Sequence, residues 1–205
     1  APATPEEVAG TVAVMGGEDW EMWIAALGAA GVLAPGFRTL SYTYIGSELT
    51  WPIYWKATLG QAKEDLDRAA AAIRAAHGGD AARVVSLKAV VTQASSAIPV
   101  VPLYGVVLFK VMKQMGLHEG CIEQIDRLFR EPPQGLDEAG RLRLDDWELS
   151  EPVQAEVKRR WAEIATETLP ELADLAGFRA DFLKIFGFGL TGVDYGADLD
   201  PRGIP

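Results

Sequence analysis

The pattern of apolar and polar positions changes between helical and strand spacing along the chain. Apolar residues recur every three to four positions in residues 18–33 and 58–77, which predicts two amphipathic helices. Between them, residues 37–45 alternate and predict a strand. Residues 83–92 are almost continuously apolar and rich in β-branched residues, which is typical of a buried parallel strand. This order of elements predicts an α/β protein with a parallel sheet.

The rest of the chain is predicted to be mainly helical. A short strand or turn is expected near Leu142 and Leu144, and residues 187–205 form a tail rich in Gly, Asp and Pro. Residues 97–115 are strongly apolar but contain Lys110 and Lys113, so they indicate a buried helix rather than a membrane span. The predicted helices are 97–115, 117–130, 151–169 and 174–186.

The junction between the first strand and the long helix is where we place the chemistry, because open α/β sheets bind ligands at the carboxyl ends of their strands. Tyr54 and Lys63 are the candidate pair, since an ammonium can lower the pKa of a nearby phenol and make it a useful proton donor. Their spacing would put them on opposite faces of one straight helix. We therefore expect Tyr54 in the turn before the helix, with Thr58 as N-cap and Gln61 completing a capping box.

Several blocks of sequence resemble the FabV type of trans-2-enoyl-ACP/CoA reductase. They are SYTYIGSELTWPIY at 41–54, the eight residues between Tyr54 and Lys63, VVTQASSAIP at 90–99, HEGCIEQ at 118–124, LDDWEL at 144–149 and FGFG at 186–189. The resemblance implies a Rossmann-like, short-chain-dehydrogenase-related parallel sheet with flanking helices, plus a small helical C-terminal region. It also implies NADH-dependent reduction of the trans-2 double bond of enoyl-CoA or enoyl-acyl-carrier-protein in fatty acid synthesis.

The resemblance further implies that this chain corresponds to the carboxyl-terminal half of such an enzyme. The family's amino-terminal half carries a glycine-rich turn that holds the dinucleotide pyrophosphate, and no predicted strand here is followed by a G-x-G-x-x-G turn. We expect residues 1–130 to be the catalytic part of the reductase domain and residues 131–205 a helical region and tail. The missing half, or a second copy of the chain, is an expected partner.

The resemblance assigns roles to individual side chains. Tyr54 is expected to donate the proton, Lys63 to hold the nicotinamide ribose, and Tyr44 to contact the thioester carbonyl. Tyr42 lies on the same predicted strand face as Tyr44 and is an alternative substrate contact. On residues alone, Tyr54 could instead be an aromatic core contact, because tryptophans surround it.

The resemblance also implies that the nicotinamide end of NADH lies against the end of the second strand, at Val90, Val91 and Thr92. The small polar residues 92–96 would equally suit a purely structural turn. In the resembling family, the helix at 97–115 lines the acyl-chain pocket, although a plain core helix would have the same composition.

Two other functions remain open. The first is a non-catalytic acyl-binding or assembly module that has kept the scaffold without a dinucleotide site. The second is a carbonyl reductase of the short-chain dehydrogenase type, which is disfavoured because its Tyr and Lys are separated by three residues rather than by the eight found here.

Composition excludes several classes of protein. The net charge is −10, from 19 basic and 29 acidic residues, which argues against nucleic acid as the main partner. The single cysteine, Cys121, excludes an internal disulfide and suits a cytoplasmic location. Neither an apolar run of membrane-spanning length nor a basic and apolar leader is present, so we expect no membrane span and no signal peptide.

Three further clusters are given structural interpretations. His118, Glu119 and Cys121 lack the second ligand group that a zinc site needs, and the acidic residues of the tail do not match a calcium loop. We therefore expect no metal. Residues 144–189 contain no flavin fingerprint, and we expect no flavin. The basic run at 158–160 is interpreted as a solvated helix face rather than a phosphate-docking site.

Overall fold

The structure is a computed structural model that describes residues 2–133, 135–198 and 202. The helices are α1 (Pro5–Met15), α2 (Glu18–Ala29), α3 (Thr58–His77), α4 (Val101–Gln114), α5 (Cys121–Arg130), α6 (Glu151–Ala162), α7 (Leu169–Leu172) and α8 (Leu175–Lys184). The strands are β1 (Thr39–Thr43), β2 (Ala82–Ser86) and β3 (Leu142–Arg143).

The strands form one parallel sheet in the order β1-β2-β3. Thr39 pairs with Ala82 at the start of the first ladder, and Ser86 pairs with Arg143 in the second. Parallel neighbouring strands need long crossover connections. Here α3 connects β1 to β2 along the chain, and the connection from β2 to β3 contains α4 and α5. The predicted Rossmann-like α/β class, with a parallel sheet and flanking helices, is confirmed.

The long helix α3 covers the sheet with its apolar face. Leu66, Ala70 and Ile73 are buried in one cluster with Val84 of β2. The helix ends at Gly78, whose φ of +111° is a backbone conformation open to glycine. Helices α1 and α2 pack on the same helix.

A second core lies around α4, which packs against α6 and α8. Val107, Leu108 and Met112 of α4 are completely buried there, together with Val153 and Val157 of α6. Burial of most of this helix explains its apolar composition.

Two predicted elements are shorter in the structure. The strand expected at 83–92 ends at Ser86. Leu87 N–H still donates to Thr43 O, but the next two backbone N–H groups donate to buried side chains instead of a neighbouring strand. The helix expected at 151–169 ends at Ala162. There the Thr168 hydroxyl donates to Glu163 O and accepts from Ala165 N, which stabilises a turn before α7.

The predicted capping box at the start of α3 is wrong. The N-cap is Ala57, and its side chain makes no capping hydrogen bond. Instead, Gly60 N–H donates to the carbonyls of both Tyr54 and Ala57, at 3.2 and 3.1 Å. Carbonyl groups of the preceding turn therefore accept the hydrogen bonds at the start of the helix, a role that we had assigned to the Thr58 and Gln61 side chains.

Candidate functional site

The segment between β1 and α3 is a series of tight turns that fixes the position of Tyr54. Gly46 has a φ of +73°, and its carbonyl accepts a hydrogen bond from Trp51 Nε1 at 3.0 Å. Tyr54 N–H donates to Thr50 O at 3.0 Å. Tyr54 thus lies in the turn before α3, as the spacing to Lys63 predicted, and Lys63 lies in the second turn of the helix.

Gly60 allows this turn to lie against the helix. A Cβ atom at this position would be 1.6 Å from the carbonyl oxygen of Trp55, a distance that no side chain can occupy. The close approach of backbone to backbone positions Tyr54 relative to Lys63.

A cavity of about 300 Å³ opens where β1, β2 and α3 meet. Its walls bring together most of the side chains that sequence reasoning selected, although they come from three separate parts of the chain. The predicted residues that line it are Tyr42, Tyr44, Tyr54, Lys63, Val90 and Thr92. Apolar side chains, among them Ile98 and Val101, complete the lining. Within α4 only Val101 contributes, because the rest of that helix is core or faces a neighbouring cavity.

Tyr54 has a free hydroxyl in a buried position. Its side chain is only 9% exposed, and among the described residues the hydroxyl has no hydrogen-bond partner. Burial raises the pKa of Tyr54 above its ordinary value. The expectation that Lys63 lowers this pKa is wrong for the structure, so the phenol is protonated at neutral pH and able to donate.

Lys63 is half-buried, and among the described residues its ammonium is as free of partners as the Tyr54 hydroxyl. Its ammonium makes neither an ion pair nor a hydrogen bond within the described part of the chain, and burial lowers the pKa of Lys63. An unpaired ammonium at a cavity wall is available to ligand hydroxyls or other acceptors.

Tyr44 is engaged from behind the cavity. Its hydroxyl donates to Glu148 Oε1 at 3.0 Å, while its ring contacts that of Tyr54 edge-on. Burial, followed by the charge of Glu148, raises the pKa of Tyr44 well above its ordinary value. Its proton is therefore committed to Glu148, so the Tyr44 hydroxyl is not free to donate to a ligand in the cavity.

Lys88 is a cavity residue that sequence reasoning missed. It is 1% exposed, its ammonium donates to Ala89 O at 2.6 Å, and it lies 4.6 Å from the ring centroid of Phe109. Burial lowers the pKa of Lys88 to about 8. The available signal was one charged residue inside the apolar run at 84–91.

Glu148 was also missed. It is completely buried and accepts hydrogen bonds from the Tyr44 and Tyr104 hydroxyls and from Ala89 N. Burial raises the pKa of Glu148. The available signal was its place in the LDDWEL block at 144–149, but its role could not be read there, because its partners come from the ends of β1 and β2 and from α4, far away in the sequence.

Val91 differs from its predicted neighbours. It does not line this cavity but packs against the α4 core and lines an adjacent cavity of about 660 Å³. Val90 lines both cavities, whereas Val91 lines only the second of the two.

The remaining clusters have structural partners. Glu119 binds Arg127 at 2.9 Å, and the described residues contain no group of three or more His, Cys, Asp or Glu side chains arranged to hold a metal. Lys158 pairs with Glu48 and Arg159 with Glu156 on an exposed face, as expected. Arg160 differs, because its side chain is only 11% exposed and donates to Glu156 and Gln114. In the tail, Asp194 accepts from Gly196 N in a turn, whereas Asp200 lies outside the described residues. None of the described helices has the length and hydropathy needed to cross a bilayer.

The cavity suits the nicotinamide end of a dinucleotide better than its pyrophosphate. An unpaired ammonium and a wall of backbone and small side chains lie at one place, near Lys63 and Val90. In the described ranges, neither β1, β2 nor β3 leads into a glycine-rich turn that opens a helix. Residues 136–198 likewise contain no such turn after their strand, because β3 is followed by Leu144 and then by the aspartates Asp145 and Asp146. These residues do not fit a flavin pyrophosphate.

Two family models match the chain. Residues 1–132 match the model described as "Trans-2-enoyl-CoA reductase catalytic region", and residues 136–199 match "Enoyl reductase FAD binding domain". The second description mentions a flavin, while the relatives that match over the whole region are named for NADH.

Curated relatives are similar over nearly the full chain. The enoyl-acyl-carrier-protein reductase (NADH) of Edwardsiella ictaluri is 57% identical over 98% of the chain, and the trans-2-enoyl-CoA reductase of Euglena gracilis is 55% identical over 97%. The matched region is 52% of the first relative and 38% of the second. The chain thus spans about half the length, or less, of the relatives that it matches.

Solved structures give the same result. The trans-2-enoyl-CoA reductase of Clostridium acetobutulicum in complex with NADH superposes with a TM-score of 0.91 and 44% identity, covering 97% of this chain and 52% of that one. The enzyme of Treponema denticola in complex with NAD has a TM-score of 0.91 and 48% identity, covering 97% of this chain and 51% of that one.

Proposed function

The chain belongs to the trans-2-enoyl-CoA reductase family, and from this premise we propose that it forms the catalytic part of an NADH-dependent enoyl-thioester reductase. The substrate class is a trans-2-enoyl thioester carried on coenzyme A or on an acyl carrier protein. The pyrophosphate-binding turn would come from a further part of the protein, expected on its amino-terminal side, or from another chain.

One observation carries the proposal: a free phenol and a free ammonium line the same cavity. Tyr54 and Lys63 are separated by eight residues and a turn, yet both face this space without partners in the described residues. A purely structural tyrosine at this depth normally has a hydrogen-bonded hydroxyl. The unused donors support a role toward a bound ligand.

The reaction requires a proton donor beside an acceptor of hydride. When bound, NADH would supply the hydride that the β-carbon of the enoyl thioester accepts, and the electron pair of the double bond would move onto the thioester oxygen. Tyr54 would donate a hydrogen bond to that oxygen and then its proton. The resulting enol would tautomerise to the saturated thioester, with the second hydrogen on its α-carbon, and the phenolate would regain a proton from water. Lys63 would bind the ribose hydroxyls with its ammonium, which is unpaired among the described residues.

The other walls position the two reactants. Val90 and Thr92 would contact the nicotinamide end of the cofactor, and the Tyr44 ring would limit where the thioester can lie. The apolar lining contributed by Ile98 and Val101 suits the start of an acyl chain and excludes water from the reacting atoms. Val91, which faces the neighbouring cavity, is given no contact with the cofactor.

The test is NADH oxidation with crotonyl-CoA as substrate. It should be measured for these 205 residues alone and for a chain that also carries the remaining half of a full-length relative. We expect turnover in the longer chain and a loss of at least about 100-fold in Tyr54→Phe, since general acids contribute that much or more. Tyr42→Phe is the matched control, because Tyr42 lines the same cavity but is 42% exposed.

Two results would overturn the proposal. One is turnover by Tyr54→Phe at the wild-type rate. The other is binding of a fatty acyl thioester without any NADH oxidation by the longer chain, which would favour the non-catalytic acyl-binding module. If the longer chain does oxidise NADH, its rates with crotonyl-CoA and with crotonyl-acyl-carrier-protein at equal concentration would identify the preferred carrier.

A further inference from the structure

The backbone that leaves β2 is held by buried side chains rather than by a strand. Leu87 N–H still donates to Thr43 O of β1, at 2.9 Å, and the ladder stops there. Lys88 N–H then donates to Gln124 Oε1 at 2.8 Å, and Ala89 N–H donates to Glu148 Oε2 at 2.6 Å. This segment is one wall of the cavity and leads directly to Val90 and Thr92.

The same carboxylate also holds a second, neighbouring part of the wall, at the end of β1. Glu148 Oε1 accepts the Tyr44 hydroxyl at 3.0 Å and the Tyr104 hydroxyl at 2.9 Å. The Tyr44 ring in turn contacts the ring of Tyr54, with centroids 5.3 Å apart. One oxygen of Glu148 therefore positions the expected cofactor wall, and the other positions the side chain that packs on the expected proton donor.

A carboxylate is the group that this arrangement needs. Three donors converge on two oxygens, and an ionised carboxylate is an acceptor only, with lone pairs for all of them. An amide would place an N–H group against one of these donors. The completely buried charge of Glu148 is compensated by its three hydrogen bonds and by the nearby ammonium of Lys88, which itself binds Ala89 O at 2.6 Å.

We propose that Glu148 is a positioning residue that sets the relative position of these two parts of the cavity wall by holding the Ala89 amide and the Tyr44 hydroxyl at the same time. This inference rests on the proposed reductase function and deepens it. Glu148 does not line the cavity itself and would act through Tyr44 and through the backbone at Ala89.

The test uses the full-length protein with saturating NADH and crotonyl-CoA, and the isosteric variant Glu148→Gln. We expect kcat to fall by about 100-fold, the effect of misplacing reacting groups by about an ångström. The KM values should change by less than about threefold, since the groups that bind both ligands remain. The losses in Glu148→Gln and Tyr44→Phe should be less than additive in the double variant, because both break one connection.

Tyr104→Phe is the matched control for damage to the core. Tyr104 is completely buried and donates to the same carboxylate, but it does not line the cavity. We expect a lower thermal midpoint in this variant and a kcat within about threefold of the wild type. If Glu148→Gln does not fold, Glu148→Asp replaces it. This variant keeps the charge but is too short to reach both parts of the wall, and the same fall in kcat is expected.

The outcomes separate this inference from the function on which it rests. Wild-type turnover together with an unchanged kcat in the Glu148 variant would overturn the positioning role alone. An equal loss of kcat in Tyr104→Phe would also overturn it, since general core damage would then explain both. Absence of turnover in the wild-type protein would overturn the reductase function and this inference with it.

Discussion

The ring of Tyr54 meets the ring of Tyr44 edge-on, with centroids 5.3 Å apart and ring planes at 68°. The two hydroxyls have different environments. That of Tyr44 donates to Glu148, whereas that of Tyr54 has no partner in the described part of the chain. The pair therefore combines a fixed aromatic support with a free proton donor, and the two residues should respond differently to loss of the hydroxyl.

Tyr54→Phe should leave stability nearly unchanged. No hydrogen bond within the described residues is lost and the ring contact stays, so the free energy of unfolding should change by less than about 0.5 kcal/mol. Tyr44→Phe should cost about 1–3 kcal/mol, because it leaves a buried carboxylate oxygen with one donor fewer. Urea unfolding of the two variants measures this difference. Equal losses would contradict the assignment of a free hydroxyl to Tyr54.

Lys63→Met should weaken NADH binding without destabilising the fold. The ammonium has no partner in the described residues and burial lowers its pKa, so the charge is a cost to the folded state that the variant removes. We expect the dissociation constant for NADH to rise about tenfold, the value of one hydrogen bond from a charged donor, and the thermal midpoint to stay or increase.

Fluorescence titration of NADH, on a chain that includes the pyrophosphate-binding part, measures this change. Lys56→Met is the matched control, since Lys56 lies in the same connection but is exposed over the Trp51 ring. An unchanged dissociation constant in Lys63→Met would contradict the ribose-binding role.

Lys88 should make stability increase with pH. Its pKa in the folded state is about 8, below the ordinary value of 10.5, so between these values the unfolded chain binds more protons than the folded chain. Stability therefore rises as pH increases through this window, by about 2 kcal/mol between about pH 8 and pH 9.5.

Lys88→Met should lack this increase. Urea unfolding of both proteins at about pH 7.5 and about pH 9.5 tests the prediction through the change in their difference, so titration of other groups cancels. If the difference in unfolding free energy between the two proteins stays constant with pH, the pKa of Lys88 is not lowered in the folded state.

Gly60→Ala should be severely destabilising for a purely steric reason. The added Cβ would lie 1.6 Å from Trp55 O, and the backbone can make room only by moving the turn that carries Tyr54. We expect a loss of at least about 3 kcal/mol. Gly10→Ala is the control, because Gly10 is an exposed position inside α1 with no atom within 4 Å of an added Cβ. This change should raise the free energy of unfolding by about 0.5–1 kcal/mol, because alanine has a higher helix propensity than glycine. Similar thermal midpoints in the two variants would contradict the close approach at Gly60.

Local pattern predicted most of the elements but misplaced several of their ends. The apolar period of α3 and the Gly78 stop are local properties, and both are confirmed. The end of β2 depends on Gln124 and Glu148, which bind the backbone from distant parts of the chain, so an apolar run alone overestimated the strand. The capping box at Thr58 was wrong for a similar reason, since the carbonyl groups of the preceding turn supplied the acceptors.

The sequence by itself determined the fold class, the family and the positions of Tyr54, Lys63 and Tyr44 beside a strand-to-helix junction. These follow from periodicity and from motifs whose residues lie close together along the chain. Only the tertiary structure decided that Val91 lines a neighbouring cavity and that burial raises the pKa of Tyr54, which Lys63 was expected to lower. It also decided that Glu148 holds both the Tyr44 hydroxyl and the Ala89 amide. The physical reason is that side-chain direction, burial and long-range hydrogen bonds arise from packing between distant segments, which no local pattern records.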